Sequence, residues 1–342
     1  MRLHLQSILA LGAALLLGAA CDSRATGMQE STNDAVGTQP LGEKAAATLL
    51  NRIMQAPTTT RYQGERRITQ HWKVGEDRYD VDFRERVSAD GTGQFAIDLL
   101  SVVEPQLSVS EANVFQVLAD AREGFSYRYR DFMIQDLASF MRNYQVKDAA
   151  TTTDVLGRPC YDLTVRRKND LQVVYRVCVD VATGLVLRCT ERTRDGTVLG
   201  TLEYETFDLN PDLSQVAWHQ PLSTEQPIST PPPGAIQPGE GESMSAPRKT
   251  PDGFVLLSAV SLTNSSLGHP AQFVRYTYTD GLELVFLIYG GATAADPDDT
   301  VVLPPSVGPW QVVLGNIRGQ HLTGFGRLSQ GDLLDLVTSA LY

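Results

Sequence analysis

The sequence predicts an α+β protein: a half-open antiparallel β-barrel with plugging helices, followed by a small domain of antiparallel sheet plus one helix. Three observations lead there. Most of the chain reads as alternating strand-like runs separated by turn residues, among them Asp195-Gly196 and Asp280-Gly281. Helical periodicity is confined to a few short stretches. A proline-rich segment, with Pro231-Pro232-Pro233 at its centre, divides the folded parts.

The elements follow in order. Residues 42–57 form the first helix candidate, with Leu49, Leu50, Ile53 and Met54 at helical spacing and Pro57 as its stop. Strands are expected over 58–72, 79–89 and 93–102, turning at Gly75-Glu76-Asp77 and Asp90-Gly91. Residues 110–122 read as a helix with Ser110 as N-cap, 126–133 as a strand and 134–144 as a second inserted helix. From 155 to 208 the pattern is an antiparallel meander. Strands that alternate apolar and polar residues line a concave face with apolar side chains, and such a cavity can take acyl chains. The alternative is that the helices fill it as a core.

Residues 221–249 read as an extended linker. Beyond it, strands are expected over 253–260, 271–278, 282–290, 310–316 and 321–328. The closing helix, 329–342, has Ser329 as N-cap and Asp332 at the capping-box position. The predicted organisation is therefore 1–20 signal peptide, 21–41 tether, 42–220 first domain, 221–249 linker and 250–342 second domain.

The first residues argue for export. Arg2 makes a short basic start, and Ile8 to Ala20 are apolar or small throughout. That run is shorter than the ~20 residues of a spanning helix but suits a signal-peptide core. Gly18, Ala19 and Ala20 precede Cys21, an order that looks like a lipobox, in which the cysteine thiol is acylated. Cys21 is thus the expected lipidation site and the route to the membrane. The alternative is ordinary secretion with an incidental cysteine. Residues 22–40 are polar and without apolar period, as a tether would be.

The chain of 342 residues has a net charge of −11, which argues against nucleic acid as a partner. No cofactor or metal is expected. Phosphate loops, nucleophile elbows and zinc signatures are all missing from the sequence, and the histidines are isolated. The expectation is a binding protein and not an enzyme.

With Cys21 lipidated, Cys160, Cys178 and Cys189 are left, and in an oxidising compartment two of them should pair. A hairpin centred on Asn169 sets Cys160 opposite Cys178, at cross-strand distance. A turn centred on Thr183-Gly184 instead favours Cys178 with Cys189. Both pairings stay open from the sequence.

Gly157-Arg158-Pro159-Cys160, Tyr175-Arg176-Val177-Cys178-Val179-Asp180 and Thr183-Gly184-Leu185 resemble the strands and turns of periplasmic lipoprotein-carrier (LolA-like) domains, and more closely those of the MucB/RseB family of sigma-E regulatory proteins. Phe207-Asp208-Leu209-Asn210, Pro251-Asp252-Gly253-Phe254 and Gly326-Arg327-Leu328 extend the resemblance. It implies a periplasmic protein whose partner is the periplasmic segment of a membrane-spanning anti-sigma factor, with a lipid or lipopolysaccharide fragment as a further ligand. A lipid or lipoprotein carrier, or a structural envelope lipoprotein, without a sigma-factor link, is the competing reading.

Overall fold

The computed structural model describes residues 39–40, 43–74, 77–104, 132–148, 152–192, 196–218, 224–227, 247, 249–264, 271–290, 300–303, 311–317 and 320–339. The signal peptide, Cys21, most of the tether, the helix expected at 110–122, most of the strand expected at 126–133 and most of the linker lie outside these residues, while Gln39–Pro40 at the end of the expected tether form a short strand. No helix among the described residues is long and apolar enough to cross a membrane.

The chain divides into two compact units. The first is built on an antiparallel sheet that, among the described residues, has 10 strands and does not close on itself. Its strands are β1 (Gln39–Pro40), β2 (Arg61–Val74), β3 (Asp77–Asp90), β4 (Phe95–Glu104), β5 (Tyr144–Asp148), β6 (Thr153–Val155), β7 (Arg158–Arg167), β8 (Val173–Asp180), β9 (Val186–Arg192) and β10 (Val198–Tyr204). They run in the order β1-β5-β7-β8-β9-β10-β2-β3-β4, with β6 paired to β7. The return of β10 to β2 joins the meander to the first strands.

Helix α1 (Glu43–Thr59) buries Leu50, Ile53 and Ala56, the face that its apolar spacing marks out. It continues two residues past Pro57. A proline in the last turn removes one N–H, and Thr58 and Thr59 each donate a hydroxyl to the Gln55 carbonyl at 3.0 Å. The core beneath it gathers Tyr62, Val87, Ala89, Leu185, Leu187 and Tyr204.

The second unit holds a 7-stranded antiparallel sheet in the order β11-β12-β13-β14-β17-β16-β15. These strands are β11 (Thr224–Pro227), β12 (Val255–Asn264), β13 (Ala271–Thr279), β14 (Leu284–Gly290), β15 (Thr300–Val302), β16 (Gln311–Ile317) and β17 (Gln320–Gly326). Helix α3 (Gln330–Ser339) covers it with Leu333, Leu336 and Val337, packed with Tyr276, Tyr278, Val285 and Leu287. Its cap forms as the sequence implies: the Ser329 hydroxyl accepts from the Asp332 N–H at 3.1 Å and lies 2.6 Å from its carboxylate. Part of the expected linker is not a spacer. Thr224–Pro227 pair with β12, with Gln226 opposite Ser261. A proline at the end of an edge strand costs the ladder little.

Helix α2 (Leu137–Asn143) belongs to the second unit, although residues of the first flank it on both sides in sequence. The Gln135 N–H donates to the Gly281 carbonyl at 2.9 Å. Asn143 donates its side-chain amide to the carbonyls of Gly253 at 2.9 Å and Asp280 at 2.8 Å. Gly281 has φ +105°, and a Cβ there would lie 2.1 Å from the Phe140 nitrogen. Only glycine permits that approach.

Candidate functional site

The meander sorts its residues by face. Side chains directly opposite one another in an antiparallel pair share a face, and successive residues alternate. Leu163 stands opposite Val177, Val177 opposite Cys189, Cys189 opposite Leu202 and Leu202 opposite Ile68. This apolar row crosses β7, β8, β9, β10 and β2. Ile68 continues it into a cluster with Val81 and Phe83, against which Leu99 and Val102 pack. Farther along β8 on the same face, Tyr175 meets Phe132 edge-on at 5.3 Å. The face is the apolar lining that alternation predicts.

One charged pair interrupts it. Arg66, two residues before Ile68, is 2 % exposed and Glu85 is 4 % exposed. Arg66 donates Nε at 2.8 Å and Nη2 at 2.6 Å to Glu85 Oε1, and its guanidinium carbon lies 5.8 Å from the Tyr204 ring centre. Adjacent Arg67 points the other way, exposed, and pairs with Asp82. That adjacent arginines take opposite faces is legible in the sequence; the buried acid opposite Arg66 is not.

The residues that carry the family resemblance come together at one end of β7 and β8. Asp180 is fully buried and accepts from Arg158 Nε at 3.1 Å and Nη2 at 2.9 Å. It also accepts from the Thr183 hydroxyl at 2.6 Å and the Thr183 N–H at 2.9 Å. Burial alone would raise its pKa, but these donors outweigh burial and hold it below the usual carboxylate range. Arg158 also lies over the Phe207 ring at 5.3 Å, and Phe207 packs on Tyr62 and Tyr204. Asp208 pairs by backbone with Gln63. The motif residues thus fasten the end of the meander to β2.

The cysteine geometry corrects the expected opposition. Cys160 stands opposite Asp180, not Cys178, and Cys178 stands opposite Arg188, not Cys189. Cys160, Cys178 and Cys189 are all buried free thiols. The first hairpin turns one residue later than Asn169 because Leu171 takes φ +58° and a bulge follows Val165. One residue of turn shifts the register by two. Burial, then Asp180 and Cys178, push the Cys160 thiol up to about 11. Burial also raises Cys178, against the pull of Arg188, whose Nη2 lies 3.1 Å from its sulfur.

Among the described residues, no group of three or more His, Cys, Asp or Glu is placed to hold a metal ion. His71 pairs its Nδ1 with exposed Asp80 at 2.8 Å, a surface contact.

Comparison with curated proteins gives no match. Among solved structures, the chain is similar to one described as the complex of Pseudomonas aeruginosa MucA/MucB, at 17% identity and TM-score 0.43, covering 85% of this chain and 96% of that one. It is similar at the same values to MucB in complex with MucA(peri). A structure of MucB alone matches at 16% identity and TM-score 0.44, covering 87% of this chain and 98% of that one. The family model described as the MucB/RseB N-terminal domain matches residues 107–222, the stretch that holds the whole hairpin stack from β5 to β10. Over those residues the chain is similar to the MucB/RseB N-terminal domain.

Proposed function

We propose that this chain is a regulatory binding protein of the cell envelope, which holds the periplasmic segment of a membrane-spanning anti-sigma factor and is tethered to a membrane through lipid on Cys21. The match of residues 107–222 to the MucB/RseB N-terminal domain carries this reading. The signal-like start and the cysteine after Gly18-Ala19-Ala20 support export and anchoring. Its job is capture and release, which needs a binding face and no catalytic group.

The test is co-purification of the full chain with the periplasmic segment of an anti-sigma factor encoded beside its gene. A stable complex is expected. Failure to form one, with and without added lipid, overturns the reading. For the anchor, Cys21→Ser should move the protein from the membrane fraction to the soluble fraction; an unchanged distribution refutes it.

The continuous apolar row from Leu163 to Ile68 favours a second function for the same face, the holding of an acyl chain. Native mass spectrometry of purified protein should then show a bound lipid. A lipid carrier without an anti-sigma partner would give the lipid and no complex.

A further inference from the structure

Helix α2 is an element of the second unit whose two stems are rooted in the first. Ahead of it, Phe132 meets Tyr175 of β8 edge-on at 5.3 Å, and Ile134 is buried. Behind it, Tyr144 follows Asn143 directly, opens β5 and pairs with Arg167 of β7. The helix therefore hangs on short stems, with little chain to spare on either side.

A helix of 7 residues does not keep its shape alone in water. Asp136 caps it by accepting the Ser139 N–H at 2.7 Å, and Phe140 is wholly buried. The rest of its support is a cradle made by two turns of the second unit. Asn143 donates to one carbonyl of each turn, those of Gly253 and Asp280. Each turn also sets a glycine of positive φ against the helix, +83° at Gly253 and +105° at Gly281. A Cβ on Gly253 would meet Asn143 Oδ1 at 3.0 Å, and one on Gly281 would meet the Phe140 nitrogen at 2.1 Å. The second turn is fixed by its own bonds: Asp280 Oδ1 accepts from the N–H groups of Leu282 at 3.1 Å and Glu283 at 2.8 Å. A receptor so fixed spends little order on taking its helix.

We propose that α2 is a clasp: its docking in this two-glycine cradle couples the units without help from the proline-rich linker. The turns Pro251-Asp252-Gly253-Phe254 and Thr279-Asp280-Gly281 then have a purpose beyond reversing the chain. They form the receptor for a segment that the first unit's chain supplies.

Full-length protein carrying Cys21→Ser and a protease site between Leu222 and Ser223 is folded, cut and run on size exclusion at falling concentration. The cut leaves β11 with the second unit and α2 on the other fragment. The tip of the β2–β3 hairpin, Lys73–Asp77, also falls in the second unit, so variants decide which of the two holds. The cut fragments should co-elute. Asn143→Ala, which removes two hydrogen bonds, should weaken their association by about 30-fold. Gly281→Ala on the opposite fragment should weaken it at least as much, and Arg142→Gln, exposed on the same helix, should leave it unchanged. Far-UV circular dichroism of each uncut variant confirms its fold. Asn143→Asp, which keeps the size but loses the amide donor, takes the place of Asn143→Ala if that variant does not fold. Separation of the parent fragments after cutting, or equal association with and without the Asn143 amide in folded variants, overturns the proposal.

Discussion

Arg66 and Glu85 form an ion pair at 2.6 Å within the otherwise apolar face of the large sheet, each almost wholly shielded from water. Removing one partner takes this ion pair from a charge that stays buried. Arg66→Ala or Glu85→Ala should therefore each cost about 3–5 kcal/mol. Replacing both with apolar residues should cost much less than the sum. Urea unfolding of the two single variants and the double variant checks this as a double-mutant cycle.

Gly281 should not tolerate a side chain. Its φ of +105° and the Phe140 backbone 2.1 Å from a built Cβ act together. Gly281→Ala should destabilise the second unit by more than about 1 kcal/mol, beyond what its chain entropy would return. Asn143→Ala removes two hydrogen bonds to backbone carbonyls and should cost roughly 2 kcal/mol. Denaturation followed by a probe in that unit reads both.

The thiols of Cys160, Cys178 and Cys189 should be silent in the folded protein. With the Cys160 thiol raised to about 11, roughly one molecule in a thousand carries its thiolate at pH 8, and burial blocks access besides. Iodoacetamide should label none of the three on a minutes scale in buffer and all of them in denaturant. Rapid native labelling, or a disulfide in peptide mapping, would refute the free buried state.

Asp180 makes acid stability sensitive to one group. Its folded pKa lies below the unfolded value of about 3.9, so its contribution is present above that pH and is lost as pH falls through the folded pKa. Asp180→Asn should lower the urea midpoint at neutral pH. Wild type and variant should then converge as the pH drops below the unfolded value. A constant difference across that range would show that the carboxylate charge is not what matters.

Much of the fold is legible in local chemistry. The alternation along 155–208 predicts the apolar row and the polar face, and Asp195-Gly196 and Asp280-Gly281 predict hairpins that form. Ser329 and Asp332 cap α3 as their spacing implies. Local pattern cannot tell which strands far apart in sequence become neighbours, so the seam of β10 against β2, and with it Arg66 beside Tyr204, belongs to the tertiary structure.

Register is the clearest division between the two. The sequence by itself determines that strands flank Lys168-Asn169-Asp170 and that a cysteine lies on each. Whether those cysteines face one another depends on a single residue of turn. Leu171 in the left-handed region and the bulge after Val165 place Cys160 against Asp180 instead. The same register sets Arg176 opposite Thr190, between Arg188 and Arg192. Turn residues announce a reversal of the chain, but the backbone angle that sets its phase is chosen by packing across the whole sheet.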